Sequence, residues 1–332
     1  MKQFPGTLVL ASIFLSMGVG CISSRVDVTN DPAQKGRDPE ATRQPSARYK
    51  DLKQHTFYRI GAVSDPEVDA KNRILYFAST HDTPDYNLYV KSFRRGAVIR
   101  LTSDSGNERS PRLSPDGRWL AYTSDRNKNW DIFLLDLTQP EATPKQLTQD
   151  ASDELAPSWS PDGTEIYFTA FSHQSGKWKI WRYDLSSRQT IQVGTEIDGL
   201  FPRPSPEGHV IAFHRFRNRT PAWASLWTIR PNGTVPTEIL TRDTWAAITP
   251  TWSPDGQNLA FSTVAKSLER RLHPIGADDI WTLRRDGTEL QQITEHPASD
   301  WSPTWIRLPG EERIFFASDR SGTSNIWSIR VR

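Results

Sequence analysis

Residues 157–163 read Pro-Ser-Trp-Ser-Pro-Asp-Gly, and the last four residues of this stretch recur along the chain of 332 residues. Ser-Pro-Asp-Gly stands at 114–117, 160–163 and 253–256, and Ser-Pro-Glu-Gly stands at 205–208. The fixed φ of proline suits the second position of a turn, the carboxylate can bond back to the backbone, and glycine accepts a left-handed conformation. We interpret the motif as a hairpin turn, because a catalytic loop would not be copied four times.

The turn belongs to a larger repeat, which is marked by a proline shortly before it. The six marker prolines are Pro66, Pro111, Pro157, Pro202, Pro250 and Pro303. Their spacing runs from 45 residues (66 to 111) to 53 residues (250 to 303). Each repeat continues with an apolar doublet, an aliphatic–aromatic pair and a short closing segment, which together indicate four short strands. Units of this length are typical of propeller blades, so the sequence predicts an all-β fold, a six-bladed β-propeller.

The two ends of the chain are expected to close this ring. The last repeat ends at Arg332 directly after its third strand, so its fourth strand must come from another part of the chain. Residues 56–60, just before the first marker proline, have the pattern of a strand. We expect this N-terminal strand to complete the last blade by pairing with residues 326–331, which removes an open sheet edge. The propeller is accordingly predicted over 51–332.

The N-terminal segment has the pattern of a targeting signal. Lys2 is followed by an apolar run over 6–20 that ends at Cys21, the single cysteine of the chain. Residues 17–21 resemble the box that precedes the lipidated cysteine of bacterial lipoproteins, which predicts a lipoprotein signal peptide over 1–20 and lipidation of Cys21. Ile22, by resemblance to lipoprotein sorting rules, favours the periplasmic side of the outer membrane. The alternative is a secreted protein with a free thiol.

The segment 21–50 is expected to be a flexible tether between the lipidated cysteine and the propeller. It is polar, is interrupted by Pro32, Pro39 and Pro45, and has no apolar periodicity with which to form a core. The chain as a whole carries 41 basic and 39 acidic side chains. So small an excess does not predict nucleic-acid binding, which needs a clustered basic face. We expect contact with the membrane through the lipid anchor only.

The repeated units, of the form Pro-x-Trp-Ser-Pro-Asp-Gly followed by Ile-Trp and Leu-Thr, resemble the blades of the TolB family. That family provides the periplasmic propeller of the bacterial Tol–Pal system, and related blades form the non-catalytic propeller of dipeptidyl peptidase IV-type peptidases. The resemblance implies a propeller that binds proteins at the mouth of its channel. TolB-like proteins carry an α/β domain before the propeller, whereas this sequence predicts only the tether there.

Catalytic motifs are absent from the sequence. It contains no Gly-x-Ser-x-Gly nucleophile turn, no His-Glu-x-x-His and no Cys-x-x-Cys. The seven histidines fall in different repeats, and only His209 and His214 are close in sequence. We therefore expect no enzyme activity, no cofactor and no metal. A histidine cluster at the axis, as in some propeller lyases for acidic sugars, remains an alternative.

Loop variation indicates which end of the propeller binds a partner. With antiparallel strands, the second-to-third and fourth-to-first connections emerge at the same end, and the fifth repeat has an insertion there between Phe261 and Ile280. The residues predicted to bind a partner at this end are Glu108, Glu154, Asp198, Arg215, Arg217, Trp245, Arg270, Arg271, Asp300 and Trp301. Their mixed charge suits a protein or peptide. Solvated loop charge, and core packing for the two tryptophans, are the alternatives.

These patterns predict a monomeric, non-enzymatic binding platform anchored to the bacterial cell envelope. Its partner is expected to be an envelope protein or peptide at the channel mouth, in a Tol–Pal-like role in envelope integrity or assembly. The alternative function is that of a propeller enzyme, a lyase or hydrolase acting on a sugar or a peptide in the central channel.

Overall fold

The computed structural model of the protein describes residues 49–94, 96–139, 141, 143–216, 224–243, 245–265 and 278–331. In these residues the chain forms 24 β-strands and no helix. The strands hydrogen-bond into six antiparallel sheets of four strands each, which confirms the all-β propeller and its six blades.

The first half of the described chain contains the closing strand, which belongs to the sixth blade, and the first three blades. The closing strand is β1 (Tyr49–Gln54). The first blade consists of β2 (Val63–Asp69), β3 (Ile74–Ser79), β4 (Asn87–Ser92) and β5 (Val98–Arg100). The second blade consists of β6 (Glu108–Leu113), β7 (Trp119–Ser124), β8 (Asp131–Asp136) and β9 (Lys145–Gln146). The third blade consists of β10 (Glu154–Trp159), β11 (Glu165–Ser172), β12 (Lys177–Asp184) and β13 (Thr190–Gln192).

The second half contains the remaining three blades. The fourth blade consists of β14 (Leu200–Pro204), β15 (Ile211–Phe216), β16 (Ala224–Ile229) and β17 (Thr237–Leu240). The fifth consists of β18 (Trp245–Trp252), β19 (Asn258–Ala265), β20 (Ile280–Arg284) and β21 (Gln291–Gln292). The sixth consists of β22 (Asp300–Leu308), β23 (Glu311–Ser318) and β24 (Asn325–Val331), with β1 as its outer strand.

The first strand of every blade surrounds the axis of the ring. Neighbouring first strands contact one another all the way round, from β2 through β6, β10, β14, β18 and β22 back to β2. Further out, the aromatic columns of the repeat pack between blades, so that Tyr122 of the second blade lies in one cluster with Tyr76 and Leu88 of the first. Each sheet face is therefore buried by its neighbour, which a single blade could not achieve.

The ring closes as predicted, but with a different strand. β1 pairs with β24, with Lys53 opposite Ser328 and Gln54 opposite Trp327. The prediction of residues 56–60 as the closing strand was therefore wrong, and the propeller begins at Tyr49 rather than at residue 51. β1 is the outermost strand of its blade and is polar, so it lacks the apolar pattern by which strands are recognised in a sequence.

The repeat itself contains the signal that places the closing strand. In the first blade Thr102 follows the fourth strand, and its Oγ1 accepts a hydrogen bond from Leu88 N at 2.9 Å. Thr56 occupies the same position in the last blade and accepts from Ile326 N at 2.8 Å. Alignment of the threonines would have put the fourth strand before Thr56. Phe57 of the segment 56–60 is instead exposed.

The Ser-Pro-Asp-Gly motifs form the hairpin turns that the sequence predicts. In the second blade Gly117 N donates to Ser114 O at 2.9 Å, and Gly117 has a φ of 76°. Trp119 N donates to Ser114 Oγ at 2.9 Å, and Arg118 N donates to Asp116 Oδ1 at 3.0 Å. We call the end of the ring that carries these first-to-second turns the turn face. The opposite end, with the second-to-third and fourth-to-first connections, is the loop face.

A bulge at the marker proline interrupts every first strand. The pairing register between the first and second strands shifts at this point in all six blades. The residue before the proline has a positive φ in each blade: Asp65 54°, Ser110 52°, Ala156 54°, Phe201 54°, Thr249 50° and Ser302 52°. Left-handed backbone is uncommon for such residues and is maintained here by the surrounding ring.

Candidate functional site

The loop-face half of the first strands is closed to water. The three residues before each marker proline are buried in all six blades. From the third blade to the sixth this layer is apolar, with Leu155, Leu200, Ile248 and Trp301 in one hydrophobic cluster. These side chains come from four first strands around the axis, so at this level the centre of the ring is a packed core rather than an open channel.

Polar contacts continue the same layer across the sixth, first and second blades. Trp301 Nε1 donates to Ser64 Oγ at 3.2 Å, and Ser302 Oγ donates to Asp65 Oδ1 at 3.1 Å. Arg109 Nε lies 3.3 Å from Asp65 Oδ2, and its guanidinium stacks on the ring of Tyr86. The arginine neighbours lower the pKa of Asp65 although burial opposes this. Asp65 thus joins three consecutive blades at the axis, through its ion pair with Arg109 and its hydrogen bond from Ser302.

Below this layer, toward the turn face, lies a polar ring formed by the residue after each marker proline. Its members are Glu67, Arg112, Ser158, Arg203, Thr251 and Thr304. Arg112 Nη1 lies 3.6 Å from Glu67 Oε2, and Leu113 N donates to Glu67 Oε1 at 3.2 Å. Burial raises the pKa of Glu67, and Arg112 and Arg203 oppose the rise. We call this set the axial ring.

The mouth on the loop face is lined by aromatic side chains. Tyr58, Trp130, Phe171 and Phe216 are partly buried against the central cluster, and each lies at the loop-face end of its strand or connection. Because they come from four different blades, they surround the axis above the closed layer. We call these four residues the aromatic mouth.

Two of the predicted residues, Asp198 and Arg215, form an ion pair beside this mouth. Arg215 Nε is 2.7 Å from Asp198 Oδ1, and the two side chains are 29% and 19% exposed. The Arg215 guanidinium also lies over the ring of Trp227 at 5.2 Å. The pair is therefore partly accessible and of mixed charge. Arg217, Arg270 and Arg271 lie outside the described residues, as does Cys21.

The expectation of solvent exposure was wrong for three predicted carboxylates. Glu108, Glu154 and Asp300 are 0%, 1% and 0% exposed. All three begin a first strand and pair across to the end of a second strand, so the next connection covers them. Charge reversal at these positions would therefore test folding, and docking would have to be tested elsewhere.

Arginine accompanies two of these buried carboxylates. Arg126 Nη2 lies 3.4 Å from Glu108 Oε1, and Arg320 Nη2 lies 2.5 Å from Asp300 Oδ2. Burial still raises the pKa of Glu108 to about 7 and raises that of Asp300. These contacts explain the recurring Ser-Asp-Arg at 124–126 and 318–320, whose arginines neutralise an acid at the junction of two blades.

Glu154 has an acid as its neighbour instead. The third blade ends its second strand with Ala170-Phe171-Ser172, where the second blade has Ser-Asp-Arg at 124–126. Glu154 hydrogen-bonds Asp131, and burial together with that neighbour raises its pKa to about 9. Burial raises the pKa of Asp131 to about 6. The pair therefore keeps one proton at neutral pH.

The two predicted tryptophans belong to the core. Trp245 is 9% exposed and packs on Trp281 with ring centroids 5.3 Å apart. Trp301 is 6% exposed and belongs to the central cluster. The structure supports the core-packing alternative for both residues.

A cavity of about 760 Å³ opens on the turn face beside the sixth blade. Its lining includes Trp305, Arg307, Glu312 and Arg330. Arg307 Nη2 lies 2.5 Å from Glu312 Oε1, so these charges compensate each other. In the described part of the chain, no group of three or more His, Cys, Asp or Glu residues could hold a metal ion. Nor do the residues described include a helix long and apolar enough to cross a membrane.

The family model for the TolB beta propeller domain matches residues 63–222 and 188–332. The chain belongs to this family. Among curated proteins, an uncharacterized protein of Agrobacterium fabrum is 26% identical over 176 residues, which are 47% of this chain and 58% of that protein. The match thus spans less than two thirds of the relative's length.

Solved structures similar to this TolB-type propeller include TolB proteins and enzymes. A candidate TolB from Agrobacterium tumefaciens superposes with a TM-score of 0.60 at 18% identity, over 82% of this chain and 91% of that one. An oligogalacturonate lyase from Vibrio parahaemolyticus superposes with a TM-score of 0.58 at 13% identity, over 85% and 93%. At these identities the similarity establishes the fold alone.

The axial ring is the arrangement that sequence reasoning missed. Its signal was present, because the column after the marker proline holds Glu67, Arg112 and Arg203 where the other repeats have Ser or Thr. A charged residue on the innermost strand of a propeller is close to the axis whatever its neighbours in sequence. A comparison of equivalent positions across the six repeats, in place of a search for motifs, would have found the axial ring.

Proposed function

We propose that this propeller is a non-enzymatic platform that binds a segment of a cell-envelope protein on its loop face. The aromatic mouth carries the proposal. Its partly exposed Trp, Tyr and Phe side chains lie above the closed layer and supply apolar contact area at little entropic cost. Such residues are enriched at protein interfaces. Membership of the TolB beta propeller family is consistent with this role.

The Asp198–Arg215 pair adds mixed charge next to the mouth. Partly exposed charges of both signs steer a protein segment and set its orientation more than they add affinity. We infer that the partner presents an apolar segment to the mouth and polar groups to this pair. The role is then Tol–Pal-like, in envelope integrity or assembly.

Substitution at the mouth tests this proposal. Trp130→Ala and Phe216→Ala should each weaken binding of the envelope partner by about tenfold, corresponding to about 1.4 kcal/mol. The partner is first identified by crosslinking of the full chain in its own envelope fraction, and its affinity is then measured with the purified proteins. Trp119→Ala provides the matched control, since Trp119 is a partly buried aromatic residue beside a turn on the opposite face. Equal losses in all three variants would contradict docking at the mouth.

Export and lipid anchoring at Cys21 belong to the same proposal. The signal-like segment 1–20 and the cysteine that follows it support anchoring on the periplasmic side of the outer membrane. Cys21→Ser should move the protein from the membrane fraction to the soluble fraction and abolish labelling by a radioactive fatty acid. Cys21→Ala serves as a second variant. Membrane fractionation that does not change in either variant would contradict the anchor.

Lyase activity is the second candidate, because an oligogalacturonate lyase shares the fold at a TM-score of 0.58. The purified protein, incubated with oligogalacturonate and a divalent cation, would then form an unsaturated product that is detected by its ultraviolet absorbance. Turnover would favour the enzyme. Binding of an envelope protein without turnover would favour the platform.

A further inference from the structure

The axial ring contains more positive than negative charge. It has two arginines, Arg112 and Arg203, and one carboxylate, Glu67. The remaining members are Ser158, Thr251 and Thr304, which are neutral. The nearest other acid at the axis, Asp65, is paired with Arg109. One positive charge in the centre of the ring is therefore uncompensated.

Arg203 is the less well neutralised arginine of the axial ring. Within the described residues, its guanidinium makes one hydrogen bond, from Nη1 to Pro157 O at 3.2 Å, and has no carboxylate in ion-pair contact. Burial and the charge of Arg112 lower the pKa of Arg203, and Glu67 and Asp65 only partly oppose this. Because a buried cation without a partner is costly, an anion at this position would stabilise the folded protein.

The charged members of the axial ring converge across the axis. Glu67 belongs to the first blade and Arg203 to the fourth, on the opposite side of a ring of six. Both occupy the position after the marker proline of a first strand, and each shifts the pKa of the other. Thr304 of the sixth blade hydrogen-bonds Glu67. The carboxylate is thus occupied by Arg112, Thr304 and Leu113 N, while the donors of Arg203 are largely free.

Solvent reaches the axial ring from the turn face. Every residue in the three positions before the marker prolines is buried, which closes the loop-face side. Arg112 and Glu67 are 13% and 17% exposed, and Arg203 is also partly exposed. The ring is therefore the end of a blind channel that solvent enters from the turn face.

We propose that Arg112 and Arg203 bind a small oxyanion, a phosphate or a carboxylate, in this blind channel. Guanidinium groups donate paired hydrogen bonds to both kinds of anion, and these two, on the second and fourth blades, would hold the ligand between two blades that are separated by one other. Ser158, on the blade between the two arginines, already donates its hydroxyl to Pro202 O at 2.7 Å, so the two guanidinium groups are the donors of the site. The site lies on the far side of the closed layer from the aromatic mouth and is independent of protein docking.

Calorimetry with inorganic phosphate, at constant ionic strength set with chloride, tests the proposal on the full chain. The unmodified protein should bind with saturable heat, and Arg203→Gln should weaken binding by about tenfold or more. Arg118→Gln, which removes a half-exposed arginine on the turn face, should leave the affinity unchanged. A parallel titration with acetate shows whether phosphate or carboxylate is preferred.

Glu67→Gln provides a test in the opposite direction. Removal of the competing carboxylate should tighten phosphate binding by about threefold or more, which a merely structural role of Glu67 would not produce. In buffer without phosphate, Arg203→Gln should also unfold at a higher denaturant concentration than the unmodified protein. The absence of saturable heat in the unmodified protein, the same affinity in Arg203→Gln, or a loss of affinity in Glu67→Gln would overturn the site.

Discussion

Single neighbours decide the protonation of the buried carboxyls at the blade junctions. Glu108 and Glu154 occupy the same position in consecutive blades and are equally buried. Arg126 stands beside the first, whereas Asp131 stands beside the second. The same fold position therefore holds a carboxyl with a pKa of about 7 in one blade and about 9 in the next. Burial raises both values, and the sign of the neighbouring charge separates them.

The Glu154–Asp131 pair makes stability depend on pH. The folded pKa of Glu154, about 9, lies above its ordinary value of 4.5, so the folded protein retains a proton that the unfolded chain releases. The contribution is present in full below the unfolded pKa and is lost as the pH rises through the folded pKa. Glu154→Gln removes this loss, and its amide can still donate to Asp131. We expect the variant to gain on the order of 2 kcal/mol over the unmodified protein at pH 9 relative to pH 5.

Denaturant unfolding at the two pH values measures this difference. Glu207→Gln is the control, because Glu207 is a partly exposed acid in a turn and should leave the pH dependence as it is. Parallel stability curves for the unmodified protein and Glu154→Gln would contradict the shared proton. A stabilising effect of equal size in the Glu207 variant would show that net charge, and not the buried pair, is responsible.

At the scale of elements, one buried arginine links the closing strand to the other strands of the sixth blade. Arg313 on β23 is 1% exposed, and its Nη1 lies 3.0 Å from Asp51 Oδ2 on β1. Its Nε donates to Ser328 Oγ on β24 at 2.8 Å. The three strands are thus tied together by a side chain as well as by their ladders, and Asp51, with a φ of 62°, marks an irregularity in the pairing.

Removal of the closing strand should destabilise the whole ring. A variant that begins at residue 55 lacks β1, exposes the edge of β24 and leaves Arg313 with Glu311 as its remaining carboxylate partner. A variant that begins at residue 49 keeps every one of these contacts and is the matched control. Thermal unfolding should be lower and less cooperative only in the shorter variant. Equal transitions in both variants would contradict closure by β1.

At the scale of the whole molecule, the two faces are chemically distinct. The loop face has an aromatic mouth over a packed floor, and the turn face leads into a blind channel with arginines at its end. The closed layer between them prevents a ligand from passing through the axis. A segment bound at the mouth and an anion bound at the axial ring would therefore occupy separate sites.

Because the two sites are separate, binding at one of them should not affect binding at the other. Phosphate should not change the affinity of the envelope partner beyond the effect of ionic strength, because no described side chain belongs to both sites. Trp130→Ala should correspondingly leave phosphate binding intact. These expectations distinguish a failure of the docking proposal from a failure of the anion site.

The sequence by itself determined the repeat, the number of blades, the hairpin turns and the closure of the last blade by a strand that precedes the first repeat. All of these are local or periodic properties, since a Ser-Pro-Asp-Gly turn and a marker proline have the same conformational preferences in every copy. The sequence did not locate the closing strand at Tyr49–Gln54, because an outer strand has no apolar pattern and the aromatic residues 56–60 offered a stronger one.

Tertiary structure alone decided what the charged residues do. Glu108, Glu154 and Asp300 look like loop acids in sequence, yet the next connection of the ring buries them. Glu67 and Arg203 are 136 residues apart (67 to 203), and only closure of six blades brings them together at the axis. The physical reason is that burial and charge pairing depend on which blades face each other, and this relation is set by the ring and not by any one repeat.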